Sequence, residues 1–341
     1  MNENFWNSLK KPIYILAPME DVTDTVFREV VMRNSSPENL HVVFTEFVSV
    51  DSICASTSKE VFLGRLHISG NEREVLEKNG VKIVAQIWGS DPEKFYQAGK
   101  LISENFSFDG IDINMGCPVK KVVKNKCCSA LILEPERAVD IIHATHSSTH
   151  LPVSVKTRTG YNEVATVEWS SRLLSAPISA LSVHGRTQKM LSEGKADWEE
   201  IRKVVQLRDS LDHPAKIIGN GDVMSINDAQ SRCAEFQVDG VMIGRGIFHN
   251  PWLFSEQSEV DLNSRFDLLL FHLSRFEVFW GRSKNFNILK RFFKIYLSGF
   301  EGAAHIRAAL MEVRNAEEAR EAICRFRTEF NDRLHQSAGI V

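Results

Sequence analysis

The sequence lacks any apolar run long enough to cross a bilayer. Its longest, such as Ile13-Tyr14-Ile15-Leu16-Ala17, extend over about half a dozen residues, where roughly 20 are needed, so no membrane association is expected. It also lacks a cysteine framework: six cysteines, at 54, 117, 127, 128, 233 and 324, are spread irregularly along 341 residues, which fits a reducing compartment better than a disulfide scaffold. The opening MNENFWNSLKK has neither the apolar core nor the small-residue cleavage site of a secretory signal, so a cytoplasmic location is the expectation. A net charge of −3 argues against nucleic-acid binding over the whole surface and leaves only a local basic face. No G-x-G-x-x-G turn follows the first apolar run, which ends in Ala17-Pro18-Met19, and that removes the main signal of a dinucleotide-binding open sheet.

What is present is an alternation. With 43% hydrophobic and 25% charged residues the composition is that of an ordinary globular chain able to bury a full core. Short β-rich runs occur at 13–17, 42–47, 82–87, 110–114, 153–156, 180–184, 216–219 and 240–243. Segments of helical character lie between most of them, for example 92–104, 135–146, 163–174, 198–207 and 226–234. Strand and helix in alternation imply parallel strands with crossover helices. Eight such units in about 245 residues match a closed (β/α)8 TIM barrel of the α/β class better than an open sheet.

In such barrels the chemistry gathers at the C-terminal ends of the strands. The residues closing the runs are polar and varied: Glu46, Gln86, Asn114 with Cys117 just beyond, Lys156, His184, Asn220 and Gly244-Arg245. One such residue alone is ordinary; seven on one rim point to a site. The turns Gly219-Asn220-Gly221-Asp222 and Gly244-Arg245-Gly246 follow the seventh and eighth runs, where these barrels commonly bind phosphate. Glycine admits close backbone approach there, and arginine offers a bidentate partner.

After about residue 254 the strand pattern stops. Segments 262–280, 284–299, 302–312 and 316–335 read as four amphipathic helices, a small bundle, and the expected boundary divides a barrel of residues 1–255 from a helical domain of 256–341. From 278 to 300 there is no acidic residue, while Arg282, Lys284, Lys290, Arg291 and Lys294 fall among Trp280, Phe286, Phe292, Phe293 and Tyr296. On helical spacing Lys290, Arg291 and Lys294 share a face suited to phosphates, whereas the aromatics are expected to be core.

Taken in order, these residues resemble the tRNA-dihydrouridine synthase family. The resemblance is carried by Ala17-Pro18-Met19-Glu20-Asp21-Val22-Thr23-Asp24, Thr45-Glu46-Phe47, Gln86-Ile87-Trp88-Gly89, Ile113-Asn114-Met115-Gly116-Cys117-Pro118, Val155-Lys156-Thr157-Arg158, Val183-His184-Gly185-Arg186-Thr187 and the two glycine turns. It implies reduction of the C5–C6 double bond of a tRNA uridine, expected in the D-loop, with FMN in the barrel mouth and NADPH as reductant. It further implies FMN contacts from Ala17, Pro18, Met19, Gln86, Asn114, Lys156, His184, Asn220, Gly221, Asp222, Gly244 and Arg245. Cys117 is the implied proton donor to C5, opposite a hydride delivered to C6. An unperturbed thiol, with a pKa of about 8.5, is mostly protonated at neutral pH and suits that role.

Lys120, Lys121, Arg158 and Arg186 near the mouth, with Lys290, Arg291 and Lys294 on the tail, are the expected RNA contacts of a monomer. Two other activities fit part of the pattern: an FMN barrel reductase of a small pyrimidine or enone, similar to dihydroorotate dehydrogenase, and a flavin-containing RNA-binding protein with little catalysis. The chain departs from the family just after Cys117. Relatives usually carry a glycine-rich stretch where this sequence reads Lys124-Asn125-Lys126-Cys127-Cys128-Ser129, which is expected to stiffen the loop presenting Cys117. No metal is expected, because adjacent cysteines are poor joint ligands and no C-x2-C pair accompanies them.

Overall fold

The computed structural model describes residues 4–55, 64–257, 260–281 and 283–338, so Arg282 lies outside the described residues. Among the described residues there are nine parallel strands: β1 Ile13–Leu16, β2 Val42–Phe44, β3 Val48–Ser49, β4 Lys82–Trp88, β5 Gly110–Asn114, β6 Val153–Arg158, β7 Ala180–His184, β8 Lys216–Asn220 and β9 Gly240–Ile243. All but β3 form the barrel, in the order β2-β1-β9-β8-β7-β6-β5-β4, closed by pairing of β2 with β4. Val43 opposite Ile83 sets the closing register and Ile15 opposite Met242 fixes β1 against β9. The short β3 adds a ledge on β4 through Val48–Ile87 and Ser49–Trp88. The expected strands are all found, most of them to within two residues.

The strands read as near-continuous apolar runs because both faces are covered. One face points into the barrel, where Ile13, Ile15, Val42, Phe44, Val84, Ala180, Ile218 and Met242 form an inner cluster. Its floor is made by the N-terminal helix Phe5–Ser8, which contributes Phe5 and the fully buried Trp6, stacked at 4.8 Å. Asn4 holds that helix in place: its Oδ1 accepts from the Trp6 amide at 3.2 Å, while its Nδ2 donates to Ser179 Oγ at the foot of β7. The alternate residues Tyr14, Leu16, Val43, Ile83 and Ile111 face the helical layer. With the floor filled, the open mouth lies at the strand C-termini.

The tail differs from expectation in one segment. Helices at Leu262–Trp280, Ala303–Glu312 and Ala316–Ala338 are present, but 284–299 is two single turns, Asn287–Lys290 and Phe293–Tyr296. Between them the amides of Leu289, Phe292 and Ile295 bond three residues back, to Phe286, Leu289 and Phe292. The cause is packing: Leu289, Phe292, Phe293, Ile295, Tyr296 and Leu297 are all buried, more than one stripe of a regular helix can hide. Phe292 lies 5.1 Å from Phe27 of the barrel layer, and Tyr296 Oη is 2.7 Å from His272 Nδ1. The aromatics are core, as expected. The tail packs on the barrel's first helix, Thr25–Arg33, within a single hydrophobic cluster. Among the described residues no helix is long and apolar enough to cross a membrane.

Candidate active site

Under the rim, a buried chain of polar side chains fixes the ends of β4 to β6. Ser154 donates to Asp112 Oδ1 at 2.6 Å, Gln86 Nε2 donates to Asp112 Oδ2 at 2.7 Å, and Asn114 Nδ2 donates to Gln86 Oε1 at 3.0 Å. Burial raises the Asp112 carboxyl to about 6, against the pull of Ser154 and Gln86. Asn114 Oδ1, left free to accept, takes the amides of Gly116 (3.1 Å) and Cys117 (3.0 Å). The strand end thereby sets the backbone that carries the thiol.

Across the mouth lies a cleft of about 490 Å³ lined by Ala17, Pro18, Met19, Lys156, His184, Asn220, Gly221, Asp222, Gly244 and Arg245. Ten of the twelve expected cofactor residues therefore meet in one place, within the size range of small-molecule sites. Gln86 and Asn114, 0% and 6% exposed, are not among its lining residues; they tie the ends of β4 and β5 together. Gly221 has φ +130, and a Cβ there would sit 2.5 Å from Ala196 Cβ, so only glycine makes this turn.

The cleft is electrically one-sided. Lys156 Nζ has Asn220 Oδ1, at 3.2 Å, as its hydrogen-bond partner among the described residues. Burial first, then Arg158, brings its pKa down to about 8. Burial and the charges of Lys156, Arg158, Arg186 and Arg245 hold His184 neutral, far below its ordinary range. Arg186 Nη1 donates to His184 Nε2 at 3.1 Å, an arrangement that assigns the ring proton to Nδ1. Asp222 answers the cations: Arg186 binds both its oxygens at 2.7 and 2.6 Å and Arg245 binds Oδ1 at 2.8 Å. Burial works to raise the Asp222 carboxyl, but Arg186 and the Ala196 amide outweigh it and the net shift is down. A buried ammonium with one neutral partner, beside an exposed Arg245, leaves positive charge that an anionic or electron-rich ligand would neutralise. The donor set fits a phosphorylated flavin.

Next to this cleft is a second, about 340 Å³, lined by Glu20, Phe47, Arg65, Trp88, Cys117 and Val119 among others. Cys117 is half-buried at its wall. The neighbouring Cys128 thiol, working against burial, brings Cys117 down to about 7. The expectation of an unperturbed thiol is thus corrected, because a second sulfur lies against the first. Arg65 did not stand out in the sequence; Cys128 did so only as part of the departure at 124–129. The loop departure leaves its mark in the backbone, where Lys126 and Cys128 have φ of 58 and 54, the region that favours glycine.

The expected RNA contacts divide. Lys120 and Lys121 are exposed on the helix Lys120–Lys124 beside Cys117. Arg291 and Lys294 are exposed, while Lys290 is half-buried with Nζ on the Met311 carbonyl at 2.6 Å. Arg291 Nη1 reaches the Asp21 carbonyl at 3.1 Å. Arg158 and Arg186 face inward. They are 7% and 1% exposed, and their guanidinium groups are consumed internally: Arg158 by the carbonyls of Gly116, Thr187 and Leu191, Arg186 by Glu193, Gly194 and Asp222. Charged groups so held brace the loops, and Arg158 also lines the cationic cleft.

The tail reaches the rim through contacts that the sequence did not show. Asp24 caps the helix Thr25–Arg33 by accepting from the Phe27 amide, and its second oxygen takes Trp280 Nε1 at 2.8 Å and Lys284 Nζ at 2.9 Å. Lys284 also lies 3.7 Å from the centre of the Trp280 ring. Glu46, just after β2, accepts from the Asp21 amide at 2.7 Å.

Comparison with known proteins agrees with this geometry. The fold resembles those of morphinone reductase (TM-score 0.50, 12% identity, covering 76% of this chain and 90% of that one) and 2-naphthoyl-CoA reductase (TM-score 0.51, 10% identity, covering 71% and 49%). Among curated proteins, a probable tRNA-dihydrouridine synthase of Staphylococcus aureus (strain MRSA252) is 41% identical over 97% of this chain and 98% of its own length. Probable tRNA-dihydrouridine synthase 2 of Bacillus subtilis (strain 168) is 39% identical over 97% and 99%. Residues 15–332 match the family described as dihydrouridine synthase. A match over nearly the whole chain, with the rim residues assembled as its motifs require, means that this protein belongs to the dihydrouridine synthase family of enzymes.

Proposed function

We propose that the protein reduces the C5–C6 double bond of a uridine in tRNA, in the D-loop, using FMN and NADPH. The observation that carries this reading is the pair of adjoining clefts, one cationic and glycine-turned, the other presenting Cys117. Bound FMN, reduced by NADPH, supplies the hydride to uracil C6. Everything else falls to the chain. Lys156, Arg245 and the turns at Gly221 and Gly244 hold the cofactor, with Ala17, Pro18, Met19, His184, Asn220 and Asp222 completing the wall. Cys117 Sγ holds the proton destined for C5, and the side-chain oxygen of Asn114 fixes the backbone from which it is delivered. Trp88, Phe47 and Val119 give the second cleft an apolar wall for a base turned out of its stack, as base-modifying enzymes require.

The exposed Lys120, Lys121, Arg291 and Lys294 supply phosphate contacts, so that residues 256–341 serve as the RNA-binding part. The curated relatives' names favour RNA over a free pyrimidine as substrate. The test is mass spectrometry of an unmodified tRNA transcript incubated with the protein, FMN and NADPH. A gain of two mass units on one D-loop uridine is expected; a flavin-loaded, NADPH-reducible protein that leaves the transcript unchanged overturns the proposal.

The acid must be protonated to donate, and a pKa near 7 makes that condition pH-sensitive. The reductive step, measured under single turnover, is expected to decline above about pH 7, approaching tenfold per pH unit. Cys128→Gly, by removing the thiol partner, should move that decline to higher pH. An alkaline limb that stays in place in the variant would assign the titration to another group.

Salt dependence checks the RNA surface. Replacing Lys120, Lys121, Arg291 and Lys294 by Gln should weaken tRNA binding and flatten its log–log salt slope by about 0.7–0.9 for each phosphate no longer neutralised. A slope equal to that of the unaltered protein would put the RNA elsewhere.

A further inference from the structure

The loop after Cys117 places a second thiol where the backbone is suited to glycine. Cys128 is fully buried, has φ 54, and its thiol bears on that of Cys117. Its neighbour clamps the same residue: the Ser129 hydroxyl donates to the Cys117 carbonyl at 2.8 Å and the Ser129 amide approaches it at 3.4 Å. Cys127 faces away, donating to the Asn125 carbonyl at 3.2 Å. A side chain in the left-handed region carries a steric cost that glycine avoids. The local arrangement is one half-exposed thiol with one buried thiol directly behind it.

We propose that Cys117 and Cys128 form a peroxide-sensitive modification site, in which the two thiols are oxidised to an intramolecular disulfide that a dithiol reduces again. The chemistry follows from position and access. The half-exposed Cys117, as thiolate, attacks a hydroperoxide; the O–O bond breaks, an alcohol or water leaves, and Cys117 becomes a sulfenic acid. Cys128 then attacks that sulfur, forming the S–S bond and releasing water. Overall two thiols each lose one electron and one proton, and the hydroperoxide takes up both. Low-pKa, accessible thiols beside a resolving thiol are the ones that oxidise reversibly, and Cys117 near neutrality has a substantial thiolate fraction. The consequence for activity rests on the function proposed above: a disulfide at Cys117 has no proton to give, so uridine reduction stops until the bond is reduced. The disulfide also protects Cys117 from irreversible sulfinic acid.

The direct test needs no RNA. The flavin-loaded protein is treated with one to a few equivalents of hydrogen peroxide, alkylated without reduction and digested with trypsin, which cuts after Lys120 and Lys126. A linked pair of peptides, 101–120 joined to 127–137, is expected, with fragmentation between Cys127 and Cys128 placing the bond on Cys128. Intact mass should fall by two units and return on adding dithiothreitol. In Cys128→Gly, which suits this backbone, Cys117 should instead gain 32 mass units that dithiothreitol does not remove. Sulfinic acid at Cys117 of the unaltered protein without the cross-link overturns the proposal, as does a bond from Cys117 to Cys127. Cross-linking in a protein that fails to reduce tRNA would sink the function proposed above and leave this site standing.

Discussion

Replacing Cys117 by alanine is expected to slow the reductive half-reaction with tRNA by about 10²–10⁴-fold, the usual worth of a positioned proton donor, while flavin content and its reduction by NADPH stay unchanged. The separation is expected because Cys117 lies in the second cleft, outside the lining of the cationic one. Among the described residues no hydrogen bond joins its side chain to Lys156, Asn220 or Asp222. Anaerobic stopped-flow of pre-reduced enzyme mixed with a tRNA transcript reads the first quantity, and the absorption spectrum reads the second. Loss of flavin would make Cys117 a structural residue. An unimpaired rate would assign the proton to solvent or to another group. Cys117→Ser separates the two further, since a hydroxyl keeps the shape but is a much weaker acid.

Removing Glu72 is expected to cost about 3–5 kcal/mol of stability, because it strands a buried guanidinium. Arg28 and Glu72 are both fully buried and joined by two contacts, Nε to Oε1 at 2.6 Å and Nη2 to Oε2 at 2.9 Å. Arg28 also holds the carbonyls of Thr23 (2.6 Å) and His67 (2.9 Å), and Thr25 Oγ1 donates to Glu72. This knot fixes the turn from β1 into the helix Thr25–Arg33, the segment that begins with Ala17-Pro18-Met19 and carries Asp24, the tail's anchor. Glu72→Ala should therefore lower the melting temperature by on the order of 10 °C and loosen flavin binding. The double variant Arg28→Met with Glu72→Leu should recover much of the loss, since apolar replacement of a whole buried pair is often near neutral. A melting temperature within a degree or two of the original for Glu72→Ala alone would show that water reaches this pair and the burial argument fails there.

Much of the barrel was legible because its signal is local. Short apolar runs such as Ile13–Leu16, Val42–Phe44 and Gly240–Ile243 read as strands covered on both faces, and the helical stretches between the runs dictate the crossover. The polar residues at the ends of those runs could be placed on one rim for the same reason, since parallel strands put all their C-termini on one side. The two glycine turns announced themselves by composition. Gly221, at φ +130 and packed against Ala196, shows what that composition encodes.

The tail was less legible. Periodicity over 284–299 suggested one helix with a basic face, but nearly every hydrophobic residue there is claimed by some part of the core, and burial in several directions outweighs the regular backbone that propensity favours. Charge was only partly legible in the same way: Arg158 and Arg186 stand in motifs beside the site, yet sequence has no means of showing that their guanidinium groups turn to backbone carbonyls.

The sequence by itself determined the alternation of strand and helix, the polar rim and the family, because these depend on residue types at short range along the chain. Only the tertiary structure decided which side chains touch. It brought Asp24 to Trp280 and Lys284 across more than 250 residues, tied Gln86 to Asn114 across the ends of β4 and β5, and set Cys128 against Cys117. Those contacts fix charge, proton affinity and access at the site, and they depend on distance and burial that a linear chain acquires only when it closes.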